Sequence, residues 1–141
     1  PDATGQVAAL RAALESANLE PSDIGYVNAH ATATHGGDII ESESIRTVFG
    51  AGPTSPWVSS TKAVHGHLIG ATSALELVLT LLAMRASLVP ASGHLGSPDP
   101  KCELRHVGLQ PRPHTEIRHA LTFSCGFGGT NAALILSASA P

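Results

Sequence analysis

Aromatic side chains are scarce in this 141-residue chain, at 4%, and charged ones amount to only 13%. A core built almost without large rings must rely on small aliphatic side chains and close backbone contacts, and the sequence is rich in alanine, leucine, glycine and serine. Eight Lys and Arg against eleven Asp and Glu leave a formal net charge of −3. With no basic stripe to neutralise phosphates, the composition argues against a nucleic-acid partner. Only two cysteines, Cys102 and Cys125, are present, and they do not make a disulfide framework. Pro1 to Gln6 lacks the basic start and apolar run of an export signal, so the cytoplasm is the expected compartment. The apolar stretch from Leu68 to Pro90 is interrupted by Glu76 and Arg85, which predicts a buried helix of a soluble protein and no membrane span. What is there is 43% hydrophobic, enough for one compact domain with its own core.

From Thr4 to Asn18, Val7, Leu10, Leu14 and Ala17 recur at helical spacing with Arg11 and Glu15 between them, which predicts an amphipathic helix. After a turn at Pro21 to Asp23, the β-prone run Ile24 to Asn28 predicts a strand that ends at His30. The double glycine of HATATHGGD reads as the end of a loop, with Asp38 capping a helix over Ile39 to Phe49. That helix is expected to turn Ile45, Val48 and Phe49 inward and Glu41, Glu43 and Arg46 outward. Trp57 to Ser59 predicts a second short strand, followed by a glycine-rich loop and a helix over Ala71 to Ala86. This last helix is apolar nearly all round, which predicts cover on every side. Ser87 to Pro100 reads as a surface loop, Cys102 to Gly108 as a weak strand, and His119 to Cys125 with Asn131 to Ser137 as a hairpin around GFGGT.

The stretch Ser59 to Glu76 carries a lysine and two histidines beside glycines, directly before a helix whose free N–H groups favour developing negative charge. Glu76 is costly to bury unpaired, and Lys62 is the expected partner. His30, Lys62 and His67 form a constellation that suits an enolate. Two neutral imidazole N–H groups can meet one oxygen, while a nearby ammonium disfavours a second positive charge on either ring. A metal site assembled from His65, His67, His30 and His35 has no cysteine or carboxylate at a recognised spacing, so no metal is expected. Cys125 in SCGFGG would suit a hydrolase nucleophile, but without an acidic partner for its base it reads better as a buried strand-end side chain.

Taken together, NAHATATHGGD (Asn28 to Asp38), SSTKAVHGHLIGATSALE (Ser59 to Glu76) and SCGFGGTNAAL (Ser124 to Leu134) resemble the C-terminal half of the β-ketoacyl-acyl-carrier-protein synthases, over essentially the whole chain. The resemblance implies an α/β fold, the C-terminal half of a thiolase-type five-layer αβαβα sandwich occupying residues 1–141. It implies His30 and His67 as catalytic histidines holding a malonyl thioester during decarboxylation, with Lys62 and Glu76 as their supporting pair. It further implies Thr32 and Thr34 as hydrogen-bond partners of a phosphopantetheine arm, and Phe127 as a gate whose backbone N–H serves an oxyanion hole. No separate cofactor is implied, because the substrate rides on the arm of an acyl carrier protein. The partners implied are that carrier, a cysteine-bearing N-terminal half expected to be absent from this chain, and a second condensing domain in a homo- or heterodimer.

The expected activity is therefore decarboxylative Claisen condensation in fatty-acid or polyketide synthesis, with the nucleophilic cysteine supplied from outside these residues. A chain-length-factor-like subunit that shapes a pocket without condensing is the alternative, and a thiolase ranks below it for want of the STKxxxGH lysine. Three positions depart from the family pattern: Ala31 where glycine is common, His35 where proline is common, and Cys125 where phenylalanine is usual.

Overall fold

The computed structural model describes residues 2–138. Helix α1 (Ala3–Ala17) starts where the Asp2 side chain accepts from the Thr4 N–H and stops at Asn18 in the left-handed conformation. Its inward face is Gln6, Leu10 and Leu14, whereas Ala17 is exposed. Strand β1 (Tyr26–Asn28) leads to helix α2 (His35–Phe49), and β2 (Trp57–Ser59) to a one-turn helix α3 (Lys62–His65) and the long α4 (Thr72–Ala86). Strands β3 (His119–Cys125) and β4 (Asn131–Ser137) close the order. The sheet runs β2-β1-β3-β4, with β1 parallel to both β2 and β3, and β4 antiparallel to β3.

Alternation along the strands separates two faces. Val27, Val58, Leu121 and Phe123 join Leu10, Leu14, Ile45 and Phe49 in one core beneath α1 and α2. Tyr26 and Ala120 point the other way, into a smaller core with Ala83, Val89, Val107 and Ile117 under α4. The chain is thus three layers deep, helices on both sides of one sheet.

Several local expectations are corrected. Helix α2 begins at His35, with Thr34 as its N-cap residue, and Asp38 lies inside the first turn. Both glycines lie in the first turn of that helix, and a Cβ on Gly37 would collide with the Thr34 hydroxyl. Glu41 does not face outward: it is buried, on the same stripe as Ile45 and Phe49. The segment after α4 is not simply a surface loop, since Val89 and Ser92 are buried, and Cys102 to Gly108 makes only an isolated bridge, Val58 with His106.

Helix α4 is covered on one side only, and the patch it exposes is the one expected of a helix that needs a second half to enclose it. Its buried residues are Thr72, Glu76, Thr80 and Ala83, one stripe of mostly polar side chains. Val78, Leu81 and Leu82 are exposed at 50%, 43% and 52%. The reason is the sheet surface beneath, where Asn28 Nδ2 donates to Thr80 Oγ1 at 3.3 Å and Ser73 meets Ser124 at 3.0 Å. The apolar majority of the helix is left without a layer over it. With the preceding 3-10 turn, Ile69–Ala86 is long and apolar enough to cross a membrane by length and composition, contrary to the reading of its sequence. One side of α4 packs on β3, and Glu76 within it is tied in a buried ion pair.

Candidate active site

The parallel strands β1 and β2 end side by side, tied beyond their last residues by the Ala29 N–H to the Ser59 carbonyl at 2.9 Å. Each strand releases its loop at the same, carboxyl edge of the sheet, where a doubly covered parallel sheet leaves a crevice. The β1 loop carries His30 and the β2 loop carries Lys62 and His67. The two imidazoles lie 5.6 Å apart between centroids with their planes at 88°.

His67 is held in one tautomer. Its Nδ1 accepts from the backbone N–H of Ile69 at 3.0 Å and lies 3.1 Å from the Thr72 hydroxyl. An amide N–H can only donate, so a neutral ring must carry its proton on Nε2, which makes that atom the donor available to a ligand. Ile69 sits at φ 53° to make this bond, an uncommon conformation for a β-branched residue. His30 is kept neutral by its surroundings. Burial first, then the Lys62 charge and then His67 pull its pKa from the usual 6.5 down to about 4.

Lys62 Nζ meets Glu76 Oε1 at 2.6 Å, with the side chains 5% and 0% exposed. Burial raises the Glu76 carboxyl above its usual range, opposed by its hydrogen bond and attraction to Lys62. The pair therefore fixes one positive charge beneath the histidines. Beside it opens a cavity of about 620 Å³ whose wall includes Thr32, Thr34, Lys62 and His67. The hydroxyls of Thr32 and Thr34 are 3.3 Å apart.

Phe127 is not brought to this cavity. Its ring is fully exposed on the turn Phe127–Gly129, where Gly128 and Gly129 take φ of 77° and 82°. Cys125 is half-buried against the α1/α2 core. Burial, then repulsion from Glu41, push its thiol up to about 12, with Lys62 acting the other way. A thiol this hard to ionise makes a poor nucleophile at neutral pH.

The sequence reading missed Glu41. Its two carboxylate oxygens accept the backbone N–H groups of His30 at 2.6 Å and Ala31 at 2.7 Å. This clamp holds a turn in which Ala31 and Ala33 take φ of 26° and 60°, conformations that cost an alanine on the order of 1–3 kcal/mol each. The signal was available in the helix register, since Glu41 stands four residues before Ile45 and eight before Phe49.

Burial raises the Glu41 carboxyl from the usual 4.5 to about 7, partly offset by the Ala31 and His30 N–H groups. The folded protein thus binds this proton more tightly than the unfolded chain. Its contribution to stability is then fully present below pH 4.5 and falls as pH rises towards 7. Glu41→Gln is expected to abolish that slope in a denaturant titration run from pH 4.5 to 8, and to cost about 1–3 kcal/mol by leaving a buried N–H poorly matched. An unchanged slope would show that Glu41 does not titrate in this window.

A layered α/β chain with His30, Lys62 and His67 gathered beyond two adjacent parallel strands has a thiolase-type fold. Residues 1–96 match the family described as beta-ketoacyl synthase, C-terminal domain, and the chain belongs to that family. It is 39% identical over 135 residues to 3-oxoacyl-[acyl-carrier-protein] synthase 2 of Staphylococcus aureus, covering 96% of this chain and 32% of that protein. With the mitochondrial 3-oxoacyl-[acyl-carrier-protein] synthase of Arabidopsis thaliana the identity is 41% over 138 residues, covering 96% and 30%. Among solved structures, the ishigamide ketosynthase/chain length factor superposes with a TM-score of 0.94 at 32% identity, over 99% of this chain and 34% of that one. A β-ketoacyl synthase from Burkholderia phymatum gives 0.93 at 32% identity, over 99% and 34%. A type II PKS ketosynthase in complex with its acyl-carrier protein, bound to the hexaketide, gives 0.91 at 30% identity, over 98% and 34%. The chain spans about a third of the length of these relatives.

Proposed function

We propose that this chain supplies the decarboxylation and enolate-stabilising half of a β-ketoacyl synthase, which condenses an acyl thioester with malonyl on a carrier protein. The observation that carries this reading is the pair of imidazoles at 5.6 Å, one with Nε2–H as its free donor and the other held neutral near the Lys62 charge. In the proposed reaction the malonyl thioester oxygen sits between the two rings. Loss of CO₂ leaves the electron pair delocalised onto that oxygen, where the two donors and the ammonium stabilise it. The enolate carbon then attacks an acyl group on a cysteine, whose thiolate leaves as the new carbon–carbon bond forms.

Neither cysteine here suits that last role. Cys102 is buried and Cys125 is a strongly protonated thiol, so the acylated cysteine is proposed to come from a nucleophile-bearing N-terminal half. Thr32 and Thr34, on the cavity wall, are proposed to receive the phosphopantetheine arm of the carrier. The exposed Val78, Leu81 and Leu82 on α4 support docking of that other half, since each covered aliphatic side chain is worth ~1.5–3 kcal/mol. Phe127, exposed in this chain, is proposed to gate the acyl pocket only once the other half is in place. A dimer of the completed domain and a cytoplasmic setting, consistent with two free thiols, belong to the same reading.

The test is to co-express the chain with such a half, load a labelled acyl thioester and map the label. The label should lie on a cysteine outside these residues, and β-ketoacyl product should form only in the assembled enzyme. Label on Cys125, or condensation by this chain alone, would overturn the reading.

A further inference from the structure

At the other end of β2, away from the histidines, the sheet edge carries a second concentration of chemistry. Trp57 is the first residue of that strand and the sole tryptophan of the chain. The guanidinium carbons of Arg105 and Arg112 lie over its ring, 3.6 Å and 4.2 Å from the centroid. Stacking on an indole holds a guanidinium by its flat face and leaves its N–H edges free to donate sideways. Arg105 spends one such donor on the Ser55 carbonyl at 3.1 Å. Among the described residues, the ion pairs join Arg46 to Glu103, Lys62 to Glu76 and Arg118 to Glu116, and neither Arg105 nor Arg112 takes part in one. Two of the eight Lys and Arg side chains of an acidic chain are thus gathered on one ring without a counter-charge.

The surroundings are shaped and fixed. A concavity of about 530 Å³ opens beside the ring, walled by Pro111, Pro113 and Trp57, with Arg112, Gln110 and Thr115 as its polar members. Arg112 is pinned by reciprocal backbone bonds with Val89, both 2.9 Å, and Thr115 donates to the Ser87 carbonyl at 2.8 Å. The fixed backbone around Arg112 and the stacking of its guanidinium on Trp57 restrict this cation before anything binds, which lowers the ordering cost of a contact.

We propose that this concavity is a docking site for a short acidic peptide segment of a partner protein. A carboxylate would dock bidentately on the Arg112 guanidinium edge, with Arg105 on the same ring adding charge from outside the concavity, and a neighbouring aliphatic side chain would lie against Trp57 and the two prolines. A peptide is favoured over a bare anion because the apolar surfaces of Trp57, Pro111 and Pro113 lie beside the polar ones and the space far exceeds one oxyanion. The site is separate from the histidine cavity, so the proposal does not depend on the condensing activity.

The test is fluorescence anisotropy of a fluorescein-labelled peptide Leu-Glu-Glu-Leu-Glu, titrated with the full chain in the assembly in which it is isolated. A saturable rise is expected, weakened as salt goes from about 50 to about 300 mM. Arg105→Gln with Arg112→Gln should weaken binding by at least about tenfold, whereas Arg118→Gln should leave it unchanged. If the double variant proves unstable in a melting experiment, Arg112→Glu alone, changing an exposed side chain, should abolish binding and create an affinity for Leu-Lys-Lys-Leu-Lys. No saturable binding, equal binding by the variants, or full displacement by inorganic phosphate at the concentration of the peptide would each overturn the proposal.

Discussion

Replacing either His30 or His67 by alanine is expected to lower malonyl decarboxylation by the assembled enzyme on the order of 10²–10³-fold, the cost of one preorganised oxyanion donor. The two variants should not behave alike in other respects. His67 is exposed and anchored only through Nδ1, to the Ile69 N–H and Thr72. Its loss should leave the melting temperature nearly unchanged while removing the Nε2–H donor. His30 is half-buried, so its truncation should reduce stability through lost packing while the Glu41 clamp on its backbone N–H stays in place. Wild-type decarboxylation in either variant, measured as CO₂ release from carrier-bound malonyl, would remove that residue from the proposed chemistry. Because burial and Lys62 hold His30 near 4, loss of activity through protonation of His30 should set in well below the ordinary histidine range.

Much of this arrangement was legible in the sequence because it depends on short-range patterns. A β-prone triplet that ends just before His30, another that ends just before the STK run, and a glycine-rich hairpin all appear where the residues place them. Their convergence at one sheet edge follows from two successive strand, loop and helix units. What the sequence hid depends on which way a helix is turned. Glu41 looks like a solvent-facing acid by residue type, although it stands on the Ile45 and Phe49 stripe of α2. Helix α4 hid its buried side for a related reason. Its apolar residues outnumber its polar ones, yet the sheet surface offers Asn28 and Ser124, which meet Thr80 and Ser73 on the polar side of the helix. Periodicity reports that a helix has a polar stripe but not whether protein or solvent lies against it. The same fact explains the exposed leucines. A helix buried on its polar side has its apolar side free for another layer, consistent with a chain that covers about a third of its relatives.

The largest structural effect is expected from Lys62→Met. Methionine occupies a similar volume, so the loss isolates the charge. Glu76 is enclosed, with Lys62 as its partner at 2.6 Å and its other oxygen already without one. Deleting one member of such a pair costs about 3–5 kcal/mol, because the remaining charge stays buried without compensation. Glu76 would respond by taking a proton, so the penalty should shrink as pH falls through its raised pKa and grow as pH rises above it. The active site should change in the opposite sense. With one nearby positive charge gone, His30 protonates more readily, and the acid limb of decarboxylation should move up towards 6.5, the ordinary value from which Lys62 helps to displace it. The double variant Lys62→Met with Glu76→Gln should recover much of the stability, since no buried charge remains, but not the position of the limb. Denaturant titration and a pH–rate profile on the same three proteins separate the two effects. If the melting temperature and the limb both stay at their wild-type positions in Lys62→Met, the pair neither supports the core nor tunes the histidine.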